Sequence, residues 1–196
     1  MNRPHAQRGF TLVEAVVSAS LLMFVGMGAV MLTSVSRDGA AMTRSQASQT
    51  NWLRRASMAV REDLAQTTAS RLTIATLTDQ NHSITFQRPT ACTAGVTTWG
   101  AYDGSAAEGE RMRDDHFTRF TVRAGSNGRQ LVRQVLDSTM ALVHEDVLAY
   151  GLASGSATPP GLRIVASGNL WQVTIGLAAT STQRGASLTF DVALHN

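Results

Sequence analysis

Residues 10–33 read FTLVEAVVSASLLMFVGMGAVMLT, twenty-four positions with a single charge, Glu14. As a helix this stretch rises about 36 Å, enough to cross a hydrocarbon layer of about 30 Å. The leader before it, MNRPHAQRG at 1–9, is polar and carries Arg3 and Arg8 without an acid. By the positive-inside bias, that leader stays in the cytoplasm and the chain beyond Arg37 is exported. In a bacterium the exported side is the periplasm. The apolar run exceeds the 7–15 residues typical of a secretory signal, so cleavage after it, near Gly39 to Ala41, is disfavoured and retention as an uncleaved anchor is the plain alternative.

The composition narrows the rest. The chain has 196 residues, 43% apolar and 16% charged, which describes one membrane segment with one globular domain rather than a polytopic protein or a disordered one. All 17 basic residues are arginine. Without lysine, Schiff-base chemistry and a Walker-type phosphate loop are excluded, since both use that amine. The lone Cys92 makes no intrachain disulfide and no Cys-x-x-Cys pair. The sequence pI near 10 overstates the charge, because 17 Arg face 14 acids, a net of +3.

The residues GFTLVE at Gly9 to Glu14 resemble the leader junction of type IV prepilins and pseudopilins. The resemblance implies that a membrane peptidase cuts between Gly9 and Phe10 on the cytoplasmic side and N-methylates Phe10. It also implies that Glu14 neutralises the N-terminal amine of a neighbouring subunit during filament assembly. Read without the resemblance, Glu14 is equally an acid near the membrane edge, favoured by the helix dipole and reaching for water. Met23, Met27 and Met31 recur every four residues and read as adaptable packing; Gly26 and Gly28 interrupt the opposite surface. The proline that loosens this helix in many major pilins has no counterpart in residues 10–88.

Beyond the apolar run, residues 34–51 are rich in Ser, Thr, Ala and Gln. Leu53, Ala56, Val60 and Leu64 then recur at spacings of three and four, the mark of an amphipathic helix. One helix is expected from about Phe10 to about Gln66, softened at Gly39, with Trp52 and Leu53 first into the core. After Thr67 the chain turns to short β-branched runs at 72–78, 83–87 and 96–102. Asn127-Gly128 predicts a hairpin with Phe120, Val122, Leu131 and Val135 on one face and Arg119, Arg123 and Gln134 on the other. Residues 138–150 are readable as helix or strand. A second hairpin is expected around Gly168-Asn169, then a last strand ending Leu-His-Asn.

The expected fold is therefore α+β and pilin-like: a long N-terminal α-helix, membrane half plus amphipathic half, packed on an antiparallel β-sheet. The expected organisation is a leader at 1–9, a membrane or filament-core helix at 10–33, its amphipathic continuation at 34–66 and a periplasmic β-rich domain at 67–196. The implied function is structural. The chain resembles larger minor subunits such as J-type pseudopilins of type II secretion or W-type minor pilins, with prepilin peptidase, other pilin subunits and an inner-membrane assembly platform as partners. No enzyme motif is present, and no cofactor is expected.

Spacing alone admits three side readings. Asp103, Glu108, Glu110, Asp114 and Asp115 supply enough oxygens for a calcium loop. His82, His116 and His144 are candidate metal ligands with Asp114 and Asp115 if the fold gathers them, although a scattered arrangement is the commoner outcome. Arg111, Arg113, Arg119, Arg123, Arg129 and Arg133 form the densest basic stretch, which a DNA-uptake receptor would need, but four acids lie beside it and favour a mixed solvated face. A filament-borne adhesin or DNA receptor, and an uncleaved periplasmic domain, stand as the alternatives.

Overall fold

A computed structural model of the chain describes residues 11–126, 128–168, 170–179 and 185–194. The leader, Gly9 and Phe10, the turn residues Asn127 and Asn169, and the final His195-Asn196 lie outside the described residues. The helix α1 spans Leu12–Ala65, 54 residues. Gly39 does not interrupt it; the Thr43 hydroxyl donates to the Gly39 carbonyl at 2.9 Å. Two compact units divide the chain at residues 44 and 45.

In the first unit every large apolar side chain from Leu12 to Val35 is at least half exposed, between 52% and 83%. The apolar surface goes all the way round, so no face is reserved for a core.

In the second unit, α1 contributes Leu53, Ala56, Val60 and Leu64 to a single buried cluster. A 3₁₀ turn at Ala69–Arg71 leads into eleven strands among the described residues. These are β1 (Leu72–Thr76), β2 (His82–Phe86), β3 (Arg88–Thr93), β4 (Val96–Tyr102), β5 (Met112–Asp114), β6 (Phe117–Gly125), β7 (Gly128–Leu136), β8 (Leu142–Leu152), β9 (Leu162–Ser167), β10 (Leu170–Gly176) and β11 (Ser187–Ala193). They form a five-stranded antiparallel sheet, β1-β2-β6-β7-β8, and two three-stranded ones, β11-β10-β9 and β3-β4-β5. The expected layout of a long helix on antiparallel strands holds, with three sheets in place of one.

The β6–β7 register pairs Val122 with Leu131 and Thr118 with Val135, so the apolar face is the expected one. The same register sets Arg133 opposite Phe120, on that core face. Residues 142–152 are strand, not helix, and β8 makes three register shifts against β7. At one of these Gly151 takes a φ of 71°, a conformation that suits a residue without Cβ. The core joins Ile84, Phe86 and Phe120 of the large sheet to Ile164, Trp171, Val173 and Phe190 of the β11-β10-β9 sheet through the helix stripe. Phe86 and Phe120 stack with centroids 5.8 Å apart.

Candidate functional site

The first turn of α1 is where the sequence concentrates its chemistry. Thr11 caps it: the Thr11 amide and hydroxyl donate to Glu14 Oε2 at 3.2 and 3.1 Å, and the Glu14 amide donates to the Thr11 hydroxyl at 3.3 Å. This reciprocal Thr-x-x-Glu arrangement satisfies amides that a helix start otherwise leaves without partners. Its signal in the sequence is a threonine three places before a glutamate ahead of an apolar run, and attention to the acid alone passes over it. Glu14 is exposed, and it faces no counter-charge among the described residues.

The helix beyond this turn has a mean hydropathy of 2.2 over its most apolar window, with none of that window buried, and is long and apolar enough to cross a membrane. Its exposed side chains explain why it needs a cover. Fourteen large apolar side chains at ~1.5 kcal/mol or more each represent on the order of 20 kcal/mol of burial not realised in the isolated chain. Met23, Met27 and Met31 belong to this uncovered surface, and nothing stands within 4 Å of a Cβ added at Gly26 or Gly28.

Residues 4–30 match the prokaryotic N-terminal methylation motif. Such a motif implies processing by prepilin peptidase and assembly with other pilin subunits, and it supports a type IV pilin-like family. An apolar helix beside it fits a single-pass membrane anchor. Comparison with curated proteins and with solved structures yields no match.

The side readings resolve into separate local arrangements. Among the described residues no three His, Cys, Asp or Glu side chains gather to hold a metal ion. His82 Nδ1 accepts from the Ile164 amide at 3.0 Å, His116 Nδ1 meets the Asp114 carbonyl at 2.8 Å, and His144 Nε2 lies 3.1 Å from Asp146. Burial, with Arg163 nearby, holds the His82 imidazole below its ordinary pKa. Asp103 is taken up inside its own turn: its Oδ1 accepts from the Ser105 amide at 3.0 Å and the Ser105 hydroxyl at 2.5 Å. Burial works to raise the Asp103 pKa, but the Ser105 bonds, His144 and Arg113 outweigh it and the net direction is down.

The basic stretch is likewise divided. Arg119 donates to Thr85 at 3.1 Å, Arg123 pairs with Glu145 at 2.7 Å, and Arg129 pairs with Asp79 at 2.9 Å. Arg113 Nε stands 3.8 Å from Asp103, close enough for attraction but too far for a hydrogen bond. Arg133 is buried under the helix. These contacts use the arginines one by one within the fold rather than lining them up as a phosphate-binding stripe.

One arrangement has no signature in the sequence. Asp63 in the last turn of α1 is buried and takes Arg133 Nε on Oδ2 at 2.7 Å and Arg88 Nη1 on Oδ1 at 3.3 Å. Arg133 also donates to the Tyr102 carbonyl at 2.9 Å, and the Arg88 guanidinium lies 4.9 Å from the Tyr102 ring centre. Burial, with Arg133 nearby, holds the Arg88 pKa below its ordinary value although Asp63 works to raise it. This joint ties the end of the helix to the sheets.

Proposed function

We propose that this chain is a minor structural subunit of a type IV filament system, either a secretion pseudopilus or a surface pilus. The observation that carries the reading is the methylation motif over residues 4–30, which overlaps an uncovered apolar stretch, residues 10–33, whose sole charge is Glu14. Prepilin peptidase cuts between Gly9 and Phe10 and methylates Phe10. The N-terminus starts in the cytoplasm, and the β-rich domain lies in the periplasm until the subunit is extracted by an inner-membrane platform. In the filament, Phe10 to Thr33 exchanges lipid for neighbouring helices, and Glu14 faces the amine of an adjacent chain, so that two charges costly in an apolar core neutralise each other. The role is structural, with no catalysis.

The resemblance to larger minor subunits of the J or W type favours a minor over a major subunit. The division of the arginines into intramolecular contacts favours this reading over a DNA receptor. The test is the N-terminal mass of the protein purified from membranes of cells with a working leader peptidase. Methylated Phe10 is the expected first residue; material that keeps Met1 to Gly9 overturns the filament reading and leaves a tethered periplasmic domain.

A further inference from the structure

Resting on the membrane-anchored stage of the reading above, we infer that Arg37 and Arg44 bind the phosphates of lipid headgroups at the far end of the apolar run. Val35, 71% exposed, is the last large apolar side chain before the first charge beyond Glu14, which is Arg37. The hydroxyls just ahead of it are turned onto the helix itself: Thr33 donates to the Ala29 carbonyl at 2.6 Å and Ser34 to the Met31 carbonyl at 2.8 Å. Bonded in this way, both tolerate an apolar surround, whereas a guanidinium does not.

The spacing of the charges matches the thickness of the layer. Arg37 stands 23 residues after Glu14. That is about 34 Å along the helix against a hydrocarbon thickness of about 30 Å, so the acid and the arginine bracket the layer and neither has to enter it. Arg44 follows seven residues later, about 20° round the helix from Arg37 and about 10 Å farther along. Because the Cα–Cβ bonds of a helix tilt toward its N-terminus, both side chains set out toward the membrane. Asp38 lies about 100° round from Arg37 and about 120° from Arg44, on another face.

Both arginines are exposed, and neither meets an acid among the described residues. No acid stands three or four residues to either side of them, where a helix would bring one into reach. Farther along α1, by contrast, Arg55 and Arg61 lie 5.6 and 5.4 Å over the rings of Trp52 and Phe190. Leader removal sharpens the difference between the two ends. Arg3 and Arg8 leave with residues 1–9, after which Arg37 is the first cationic side chain of the subunit. A planar guanidinium offers paired donors to phosphate oxygens, and two of them on one helix face make a small surface for an anionic headgroup layer.

The test reconstitutes the full-length chain in vesicles of phosphatidylglycerol and phosphatidylcholine in equal parts. Electron spin resonance of spin-labelled lipids then reads which of the two collects around it. The expected result is a preference for phosphatidylglycerol of about fivefold that weakens as salt is raised. Arg37→Gln with Arg44→Gln removes the preference, and Arg37→Lys with Arg44→Lys keeps most of it. No preference in the wild type, or an unchanged one in the double Gln variant, overturns the contact. So does a double Gln variant that keeps its lipid preference and drops out of sheared filaments, since that assigns the arginines to a protein partner. N-terminal mass on the same samples separates the two ideas. Methylated Phe10 without a lipid preference removes the headgroup contact alone, whereas retained Met1 to Gly9 removes the filament reading while the comparison of Gln and wild-type chains still reads Arg37 and Arg44.

Discussion

Replacing Asp63 with alanine is expected to be the most damaging single change outside the apolar core. The carboxylate is 7% exposed and serves two guanidinium groups, one at 2.7 Å and one at 3.3 Å, of which Arg133 is itself 9% exposed. Removing the acid strips both cations of the carboxylate they share, leaving Glu62 as a weaker attraction on Arg88, a loss of about 3–5 kcal/mol for a broken buried pair. Domains of this kind have total stabilities of about 5–15 kcal/mol. With a urea dependence of about 1–3 kcal/mol per molar, the midpoint falls by roughly 2 M. The assay is urea unfolding of the full-length chain in detergent, followed by the fluorescence of Trp52 and Trp171, which pack at the core. Adding Arg133→Met to Asp63→Ala should recover part of the loss by removing one stranded charge. A shift for Asp63→Ala no larger than that of exposed Glu62→Ala would refute the reasoning.

Three further outcomes rest on the same geometry. Asn81 is fully buried and holds the Ala153 carbonyl at 3.2 Å and the Leu162 amide at 2.7 Å, so Asn81→Ala should cost about 2–3 kcal/mol in the same urea assay, with Asn81→Asp no better. His82 has a folded pKa below its ordinary 6.5, so its neutral form is the one that folding favours: stability is full above that value and declines as pH falls through it toward the folded pKa. His82→Gln should flatten this part of the stability–pH profile, and an unchanged slope would exclude His82 as its source. Glu14→Ala is expected to leave leader cleavage intact while reducing incorporation into sheared filaments, measured by immunoblot; normal incorporation would count against a role in assembly.

Much of the architecture is readable because periodicity reports burial directly. Leu53, Ala56, Val60 and Leu64 announce the helix stripe, and α1 ends at Ala65, beside the expected Gln66. The β6–β7 hairpin is equally clear, since alternation fixes which residues share a face. The β3 strand escapes such a reading because Arg88–Thr93 contains Pro89 and a register shift between Pro89 and Ala91, and β5 because three residues carry no period. Residues 138–150 are ambiguous for a related reason: the register shifts along β8 break the two-residue alternation that would identify a strand. Arg133 is hidden by its type. Nothing local in QLVRQV says that an arginine faces inward; only the long-range approach of Asp63, 70 positions earlier, makes that placement tolerable. The chemistry of the N-terminal segment is plain as a motif, yet Gly9 and Phe10 lie outside the described residues, so their roles rest on the sequence alone.

The threonine at the start of α1 changes what it means for an acid to wait inside an apolar layer. Only one oxygen of Glu14, Oε2, is engaged by Thr11. The other keeps its lone pairs. On the proposed filament reading, a lone subunit would hold its carboxylate against its own first turn and keep the other oxygen for an incoming ammonium. Thr11→Val would remove the hydroxyl, free the side chain to wander among rotamers, and make each encounter begin with a search.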